Sequence, residues 1–438
     1  MIRVAHVVES FAYGTAKTVT QICEAQSGDI ESTIFYGDRQ GTDLDLIDLG
    51  PSVRYERLPG RGPLRHPGNI RFLAGRLPDF DVVHAHSSYG GLYGKWLARR
   101  LFGDDADRRV LYSPHGLAFL RRDVSRLGRR LIHLFERRSS TRCTTLACGP
   151  YEARLMRSWP GEVLCIPNGH DVETPTPVQS LDRTVLGVGR ICPQKGFDIF
   201  CEVAARCPGR PFRWIGEVQR PGDPPPAVPA NVRLTPYLPH GELLEIIRRS
   251  RLIFLPSRWE GLSRFLVEGV CLGKAVVTSV FPANGDCLAG SAAAFDDVAG
   301  TDGDYADVRR YDNGYTAQSV RGYAAAIEAM DDDRRLTTMQ AASHRLAAER
   351  YDIRQIAETW RQTYRHAAAT TSDDPVRRSP GPPKDRSQET SAWHDSAGSF
   401  QGRAVAETHP GTAPRSRSED APETRPSSPA DLGNAPSF

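Results

Sequence analysis

Short β-branched runs alternate with stretches of helical spacing along the first half of the chain. Residues 2–8 (IRVAHVV), 32–37 (STIFYG), 81–86 (DVVHAH) and 109–116 (RVLYSPHG) read as strands. Helical spacing follows in residues 15–26, in GLYGKWLARRLF and in a long stretch after residue 116; TTLACG and EVLCIPNG close the series. Pro175 and Pro177, set among Thr and Ser, mark a linker. The alternation then restarts. Strand TVLGVG, helix FDIFCEVAARC, strands FRWIG and VRLTP, helix ELLEIIRRS, strand LIFLPS, helix SRFLVEGVCLG and strand AVVTS follow in turn, with helices from residue 319 to 366. A strand that returns parallel to its predecessor needs a crossover helix, so this order predicts two doubly wound α/β units. They are expected over 1–172 and 173–350, facing each other, with a terminal helix at 351–366 returning to the first. Ligands of such sheets bind beyond the carboxyl ends of the strands. The sequence has no repeat at solenoid period.

Composition changes this picture in one place. Residues 367–438 hold one leucine (Leu432), no Ile, no Tyr and no Cys, and are rich in Ser, Pro, Arg and Asp. Such a tail buries too little apolar surface to offset its ordering entropy, and is expected to be disordered. The formal charge of +3, from 56 basic and 53 acidic side chains, gives no bulk attraction to nucleic acid. Nine cysteines without a Cys-x-x-Cys pair, mostly in apolar runs, read as reduced thiols in a cytoplasmic protein. The first ten residues are too quickly polar for a signal peptide, and no apolar run approaches the ~20 residues that span a bilayer.

The chemistry concentrates in two stretches. In RWEGLSRFLVEGVCLGKAVVTS, a strand has just ended and a helix begins near Leu262 or Ser263. The first amides of that helix lack intrahelical partners and carry the positive end of its dipole, which suits a phosphate. A carboxylate aimed at the same point would repel one. Glu260 and Glu268 are therefore expected to accept hydrogen bonds from neutral donors, and sugar hydroxyls fit. The second stretch is GVGRICPQKGFD, where Arg190 and Lys195 follow a strand end. Two cations beside a tight turn would neutralise a pyrophosphate and stabilise it as a leaving group.

Through GRICPQKGFD and LPHGELLEIIRRSRLIFLPSRWEGLSRFLVEGVCLGKAVVTS above all, the chain resembles the retaining family 4 glycosyltransferases over most of residues 1–366. The resemblance implies the two-domain GT-B fold and transfer of a sugar from a nucleotide-sugar (a UDP- or GDP-sugar) to a saccharide or lipid-linked acceptor. It implies a place in surface polysaccharide or glycolipid assembly. Arg190 and Lys195 would hold the donor diphosphate, with the Leu262 and Ser263 amides beside it. Glu260 would contact the donor sugar and Glu268 the ribose. His115, in SPHG, would lie near the transferred sugar, so His115 and Glu260 are the implied catalytic residues. Gly14, in SFAYGTAK, would belong to an acceptor-side loop and matches the first of a glycine pair whose second member is here Thr15. His86, in DVVHAHSSYGG, would line the cleft on the acceptor side. The family retains anomeric configuration without a firmly placed protein nucleophile, the leaving diphosphate helping to deprotonate the acceptor.

Bland readings compete. His84 and His86 share a strand face and could pair on a metal, but no third ligand is identifiable, and no metal or other cofactor is expected. Asp79/Asp81, Asp43/Asp45 and Asp302/Asp304 mimic an acidic metal triplet, yet precede a strand or sit in polar loops. Residues 119–138 form a basic amphipathic stretch, with Leu120, Val124, Leu127, Leu131 and Phe135 at helical spacing and Arg122, Arg126, Arg129, Arg130 and Arg137 elsewhere. It reads as a core-facing helix with a solvated arginine side, or as a peripheral dock on anionic lipid at the inner face of the cytoplasmic membrane. A sugar-nucleotide epimerase of the same two-domain fold is the alternative enzyme, and a non-catalytic binding module the alternative class.

Overall fold

The computed structural model describes residues 1–26, 28–37, 52–60, 65–140, 143–218, 226–294 and 306–369. The first sheet contains β1 (Ile2–Val8), β2 (Ile30–Tyr36), β3 (Arg54–Arg57), β4 (Val82–His86), β5 (Val110–Ser113), β6 (Thr144–Ala147) and β7 (Val163–Cys165). Their order is β3-β2-β1-β4-β5-β6-β7, every neighbouring pair parallel. The helices of this half are α1 (Tyr13–Glu24), α2 (Arg65–Arg76), α3 (Ser87–Phe102), α4 (Ala106–Arg109), α5 (Arg126–Ser139) and α6 (Pro150–Met156). Inner strands buried on both faces need apolar residues on both, which is why β4, β5 and β6 show no clean alternation.

The second sheet contains β8 (Val185–Val188), β9 (Phe212–Ile215), β10 (Val232–Thr235), β11 (Leu252–Leu255), β12 (Ala275–Ser279), β13 (Ala293–Ala294), β14 (Arg309–Tyr311) and β15 (Gly314–Ala317). Its order is β10-β9-β8-β11-β12-β15-β14-β13. The hydrophobic pattern missed β13, β14 and β15, and β14 runs antiparallel to both its neighbours. The remaining helices are α7 (Phe197–Arg206), α8 (His240–Arg249), α9 (Arg264–Cys271), α10 (Pro282–Gly285), α11 (Val320–Glu328), α12 (Asp333–Arg350) and α13 (Ile353–Ala368).

Strand order reverses between β1 and β4 in one sheet and between β8 and β11 in the other. Helices leave these strand pairs in opposite directions, so a crevice opens at the carboxyl ends of each pair. Both sheets belong to one compact unit. The chain returns to the first sheet through α13, whose Ile353, Ile356, Trp360 and Tyr364 recur on one face. They join Val4, Ile22, Ile30, Val82, Leu111 and Leu146 in one core. The crossing is pinned where the His170 amide donates to the Tyr351 carbonyl and the Ile353 amide to that of His170.

Two expectations change. The basic stretch is not one helix from 119. Ser125 accepts a hydrogen bond from the Gly128 amide and so caps α5 at Arg126, after a single 3-10 turn at Ala118–Leu120. Nor does its apolar face meet the core: Leu127, Leu131, Leu134 and Phe135 are 68%, 59%, 54% and 54% exposed. The Asp79/Asp81 pair lies at the wrong edge for chemistry. Asp81 precedes β4, and its carboxylate accepts the Arg3 amide at 2.8 Å. The other two acidic pairs, and the tail beyond residue 369, lie outside the described residues.

Trp360→Ala should lower the stability of the first domain by about 3–5 kcal/mol, because a large ring leaves a closed core. A urea titration followed by circular dichroism checks it.

Candidate functional site

Val188 ends β8 and Leu255 ends β11, so the turns that follow sit side by side at the switch point of the second sheet. Gly196 lets them touch. Its φ of 69° is left-handed, and a Cβ there would lie 2.2 Å from the Pro256 carbonyl oxygen. That approach brings Lys195 Nζ within 2.6 Å of Glu260 Oε1. Gln194 ties the cluster together, accepting from Arg190 Nη2 at 3.3 Å and donating to the Trp259 carbonyl at 3.1 Å. Arg258 anchors the rim by pairing with Asp198.

Helix α9 starts at this cluster. Its N-cap, Ser263, makes no side-chain cap. The hydroxyls of Ser263 and Ser257 are both buried without a protein partner. Buried polar atoms are rarely left so, and a ligand oxygen would complete them. Leu262, just before the helix, is buried in one cluster with Cys148 of the first domain and lies against Gly149.

Glu268 lies one turn into α9 and is buried. Arg264 Nε reaches its Oε1 at 2.7 Å, and His240 Nε2 lies 2.8 Å from the same oxygen. Burial alone would raise this carboxyl. The Arg264 charge and the His240 hydrogen bond hold it down instead, to about 2. Burial lowers His240, and the Glu268 charge works against that. His170, His240 and Glu268 bring one ligand atom each within 4.8 Å of one another. Sequence reasoning missed Arg264, His240 and His170. The first had a readable signal, a basic residue four positions before an acid on one helix face. The histidines come from distant segments and had none.

The opposite wall belongs to the first sheet. Beyond β5, His115 adopts a left-handed φ of 54° and Gly116 one of 108°. Glu152 fixes this bend, its two oxygens accepting the Gly116 amide at 3.0 Å and the Cys148 amide at 2.8 Å. The bend meets Gly261, next to Glu260: a Cβ on Gly261 would lie 2.8 Å from Gly116 Cα. The structure thus brings the His115 and Glu260 loops together. Further contacts cross here. Arg264 reaches Thr18 and Gln21 of α1 at 3.4 and 3.0 Å, and the Tyr151 amide donates to Asp286 at 2.9 Å.

One expected acceptor-side residue lies elsewhere than foreseen. His86 is the last residue of β4 and fully buried, with hydrogen bonds at both ring nitrogens, so it lies behind the cleft wall. Gly14 is in the first turn of α1 rather than a loop, opposite the Arg264 side chain. A cavity of about 430 Å³ lined by Ser180, Asp182, Arg213, Glu245 and Arg249 opens at the amino-terminal edge of the second sheet, away from this chemistry.

Two doubly wound parallel sheets with facing switch points, one bearing a cationic turn beside an uncapped helix start, define the GT-B architecture. Residues 13–174 match the family described as Glycosyltransferase Family 4, and residues 182–300 that described as Glycosyl transferases group 1. The chain belongs to this family 4/group 1 glycosyltransferase superfamily. Among curated proteins, the Escherichia coli UDP-Gal:alpha-D-GlcNAc-diphosphoundecaprenol alpha-1,3-galactosyltransferase is 27% identical over 236 residues, which is 48% of this chain and 60% of that protein. The match therefore spans less than two thirds of that relative. Sucrose-phosphate synthase from Thermosynechococcus elongatus superposes with a TM-score of 0.66 at 18% identity, covering 83% of this chain and 98% of that one. Anabaena HepE, solved with UDP-glucose, gives 0.62 at 15%, covering 83% and 99%. These likenesses carry the fold.

Glu268→Gln should move the His240 titration to lower pH, because the opposing negative charge is gone while the burial remains. Imidazole NMR against pH reads it; an unmoved or raised titration would contradict the pairing.

Proposed function

We propose that this chain is a retaining glycosyltransferase that moves a sugar from a UDP-sugar to a lipid-diphosphate-linked saccharide, in surface polysaccharide or glycolipid assembly. The observation that carries this reading is the convergence of Arg190, Lys195, the uncapped α9 start and two buried acids at one switch point. Lys195 turns from Glu260 to the donor diphosphate, and Arg190 supports it. Ser263 completes the phosphate shell. Glu260, released from its cation, accepts from the donor sugar hydroxyls, and Glu268 accepts from the ribose. His115 faces the transferred sugar from the other wall. The protein's contribution is orientation and fixed charge around a departing diphosphate. Closure at Gly116 and Gly261 keeps water from the donor. The galactosyltransferase relative supports a UDP-sugar and a polyprenyl-diphosphate acceptor, and favours transfer over epimerisation.

The acceptor chemistry fits the surface of the first domain. On α5, Leu127, Leu131, Leu134 and Phe135 face outward among Arg126, Arg130, Arg137 and Arg138. Neighbouring α3 adds exposed Tyr89, Leu92 and Trp96. No helix among the described residues is long and apolar enough to cross a membrane. The proposed role of this face is peripheral docking on anionic lipid at the inner side of the cytoplasmic membrane, at ~1 kcal/mol per cation near the surface.

Lys195→Ala and Glu268→Ala should each cut UDP-sugar turnover by about 100-fold or more, the scale of losing one preorganised charge contact. A screen of UDP- and GDP-sugars with the unaltered chain supplies the assay; undiminished turnover in both variants overturns the site. Product formed from donor alone, without acceptor, would point to the epimerase. Docking is tested apart from chemistry. Leu131→Asp combined with Phe135→Asp should abolish co-sedimentation with phosphatidylglycerol vesicles, and high salt should weaken it in the unaltered chain. Binding indifferent to anionic lipid removes the docking reading.

A further inference from the structure

Behind His115 runs a row of imidazoles that the transfer reading does not use. His115 Nε2 lies 2.9 Å from His86 Nδ1, and His86 Nε2 lies 3.1 Å from His6 Nδ1. Successive rings are nearly parallel, at 16° in both pairs. The register of parallel strands creates the row: β1 and β4 are neighbours, with His6 beside His84 and Val8 beside His86, and His86 lies beside Ser113 of β5. His84 stands outside it, engaged with Tyr364 and Ser113. The inner end, His6 Nε2, is buried with no hydrogen-bond partner.

Burial pushes all three rings toward the neutral form, His6 down to about 3 and His115 to about 4. A neutral imidazole carries one proton, so the row has two registers. In one, His115 Nε2–H donates to His86, His86 Nε2–H donates to His6, and His6 is left with a buried Nε2–H and no acceptor. In the other, His6 Nδ1–H donates to His86, His86 Nδ1–H donates to His115, and His6 Nε2 keeps only a bare lone pair. Orphaned buried N–H groups are the rarer and costlier defect. The second register wins, and in it His115 must carry its proton on Nδ1.

We propose that His86 and His6 are positioning residues that hold His115 in its Nδ1–H tautomer, making it a hydrogen-bond donor to a substrate oxygen rather than a base at that nitrogen. This rests on His115 facing the substrate, as proposed above. The row also competes with a metal reading. His6, His84 and His86 present atoms within 4.8 Å, but both nitrogens of His84 and of His86 are already hydrogen-bonded.

The test is 15N NMR of the full chain with ring-labelled histidine, the His115 signals being assigned by their loss in His115→Gln. Protonated Nδ1 and bare Nε2 are expected at His115; the opposite pattern overturns the proposal, and stoichiometric zinc in the purified protein does so too. His86→Leu should give mixed His115 tautomers and lower kcat about tenfold, the scale of weakening one hydrogen bond, with UDP affinity unchanged. His86→Asn, whose amide can still donate to Nε2, should restore the tautomer and most of kcat. Unchanged tautomer and kcat in His86→Leu count against the idea, and the measurement on the unaltered chain stands should that variant not fold. Unaltered turnover in His115→Ala would remove the substrate-facing reading while leaving the tautomer result intact, so the two failures are distinct.

Discussion

The site depends on neutralising two buried acids, Glu260 beside an uncapped helix start and Glu268 one turn into the helix. Glu260 and Glu268 each have a cation of their own, Lys195 for the first and Arg264 for the second. Removing one partner of a buried pair leaves an uncompensated charge, at a cost of about 3–5 kcal/mol. Exchange of partners avoids that cost. A diphosphate that takes Lys195 comes attached to sugar hydroxyls that can satisfy Glu260. A free phosphate would take the lysine and leave the acid bare, so under the proposed function the pairing would favour the joined ligand over its anionic half.

Arg264 links this electrostatics to the arrangement of the domains. Its guanidinium touches Glu268 on one side and Thr18 and Gln21 of α1 on the other. Further contacts cross the cleft at Gly116 and Gly261, at Leu262 beside Cys148 and Gly149, and where Tyr151 and Arg154 meet Phe281 and Asp286. This seam is part polar and part apolar, since Cys148 shares a buried cluster with Leu262 and Tyr151 packs edge-on against Phe281. A second tie is α13, whose Trp360 and Tyr364 bury into the first domain after the chain has completed the second.

How much of this was legible in the sequence follows from the range of the interactions. Strand ends followed by glycine and charge placed Arg190, Lys195, Glu260 and Glu268 at the mouth of the second sheet, because parallel sheets bind ligands there whatever their detail. Arg264 was one helical turn from Glu268 and could have been read. The burial of His86 could not. Alternation along β4 says that His84 and His86 share a face, but that face is covered by α13, from the far end of the fold, as the Tyr364 contact to His84 shows. Likewise, helical spacing around 119–138 gave an amphipathic stripe without saying whether the apolar side meets protein. The start of α5 was misplaced because a local side-chain bond, Ser125 to Gly128, outweighs the periodic pattern.

That outward stripe is mechanically joined to the cleft. From His115 the chain runs through Gly116 and Ala118 toward α5, and two buried carboxylates hold its amides. Glu152 of α6 takes Gly116 at 3.0 Å, and Glu136 of α5 takes Ala118 at 3.3 Å. Burial pushes the Glu136 carboxyl up to about 7, which weakens its charge but keeps an acceptor oxygen for the amide. Glu136 lies on the inner side of the helix whose outer side shows Leu131 and Phe135 to solvent. A lipid surface engaged by α5 would therefore sit one rigid helix away from the bend that carries His115. Under the proposed docking, the position of α5 on lipid would be passed to the His115 bend through the Glu136 contact to Ala118.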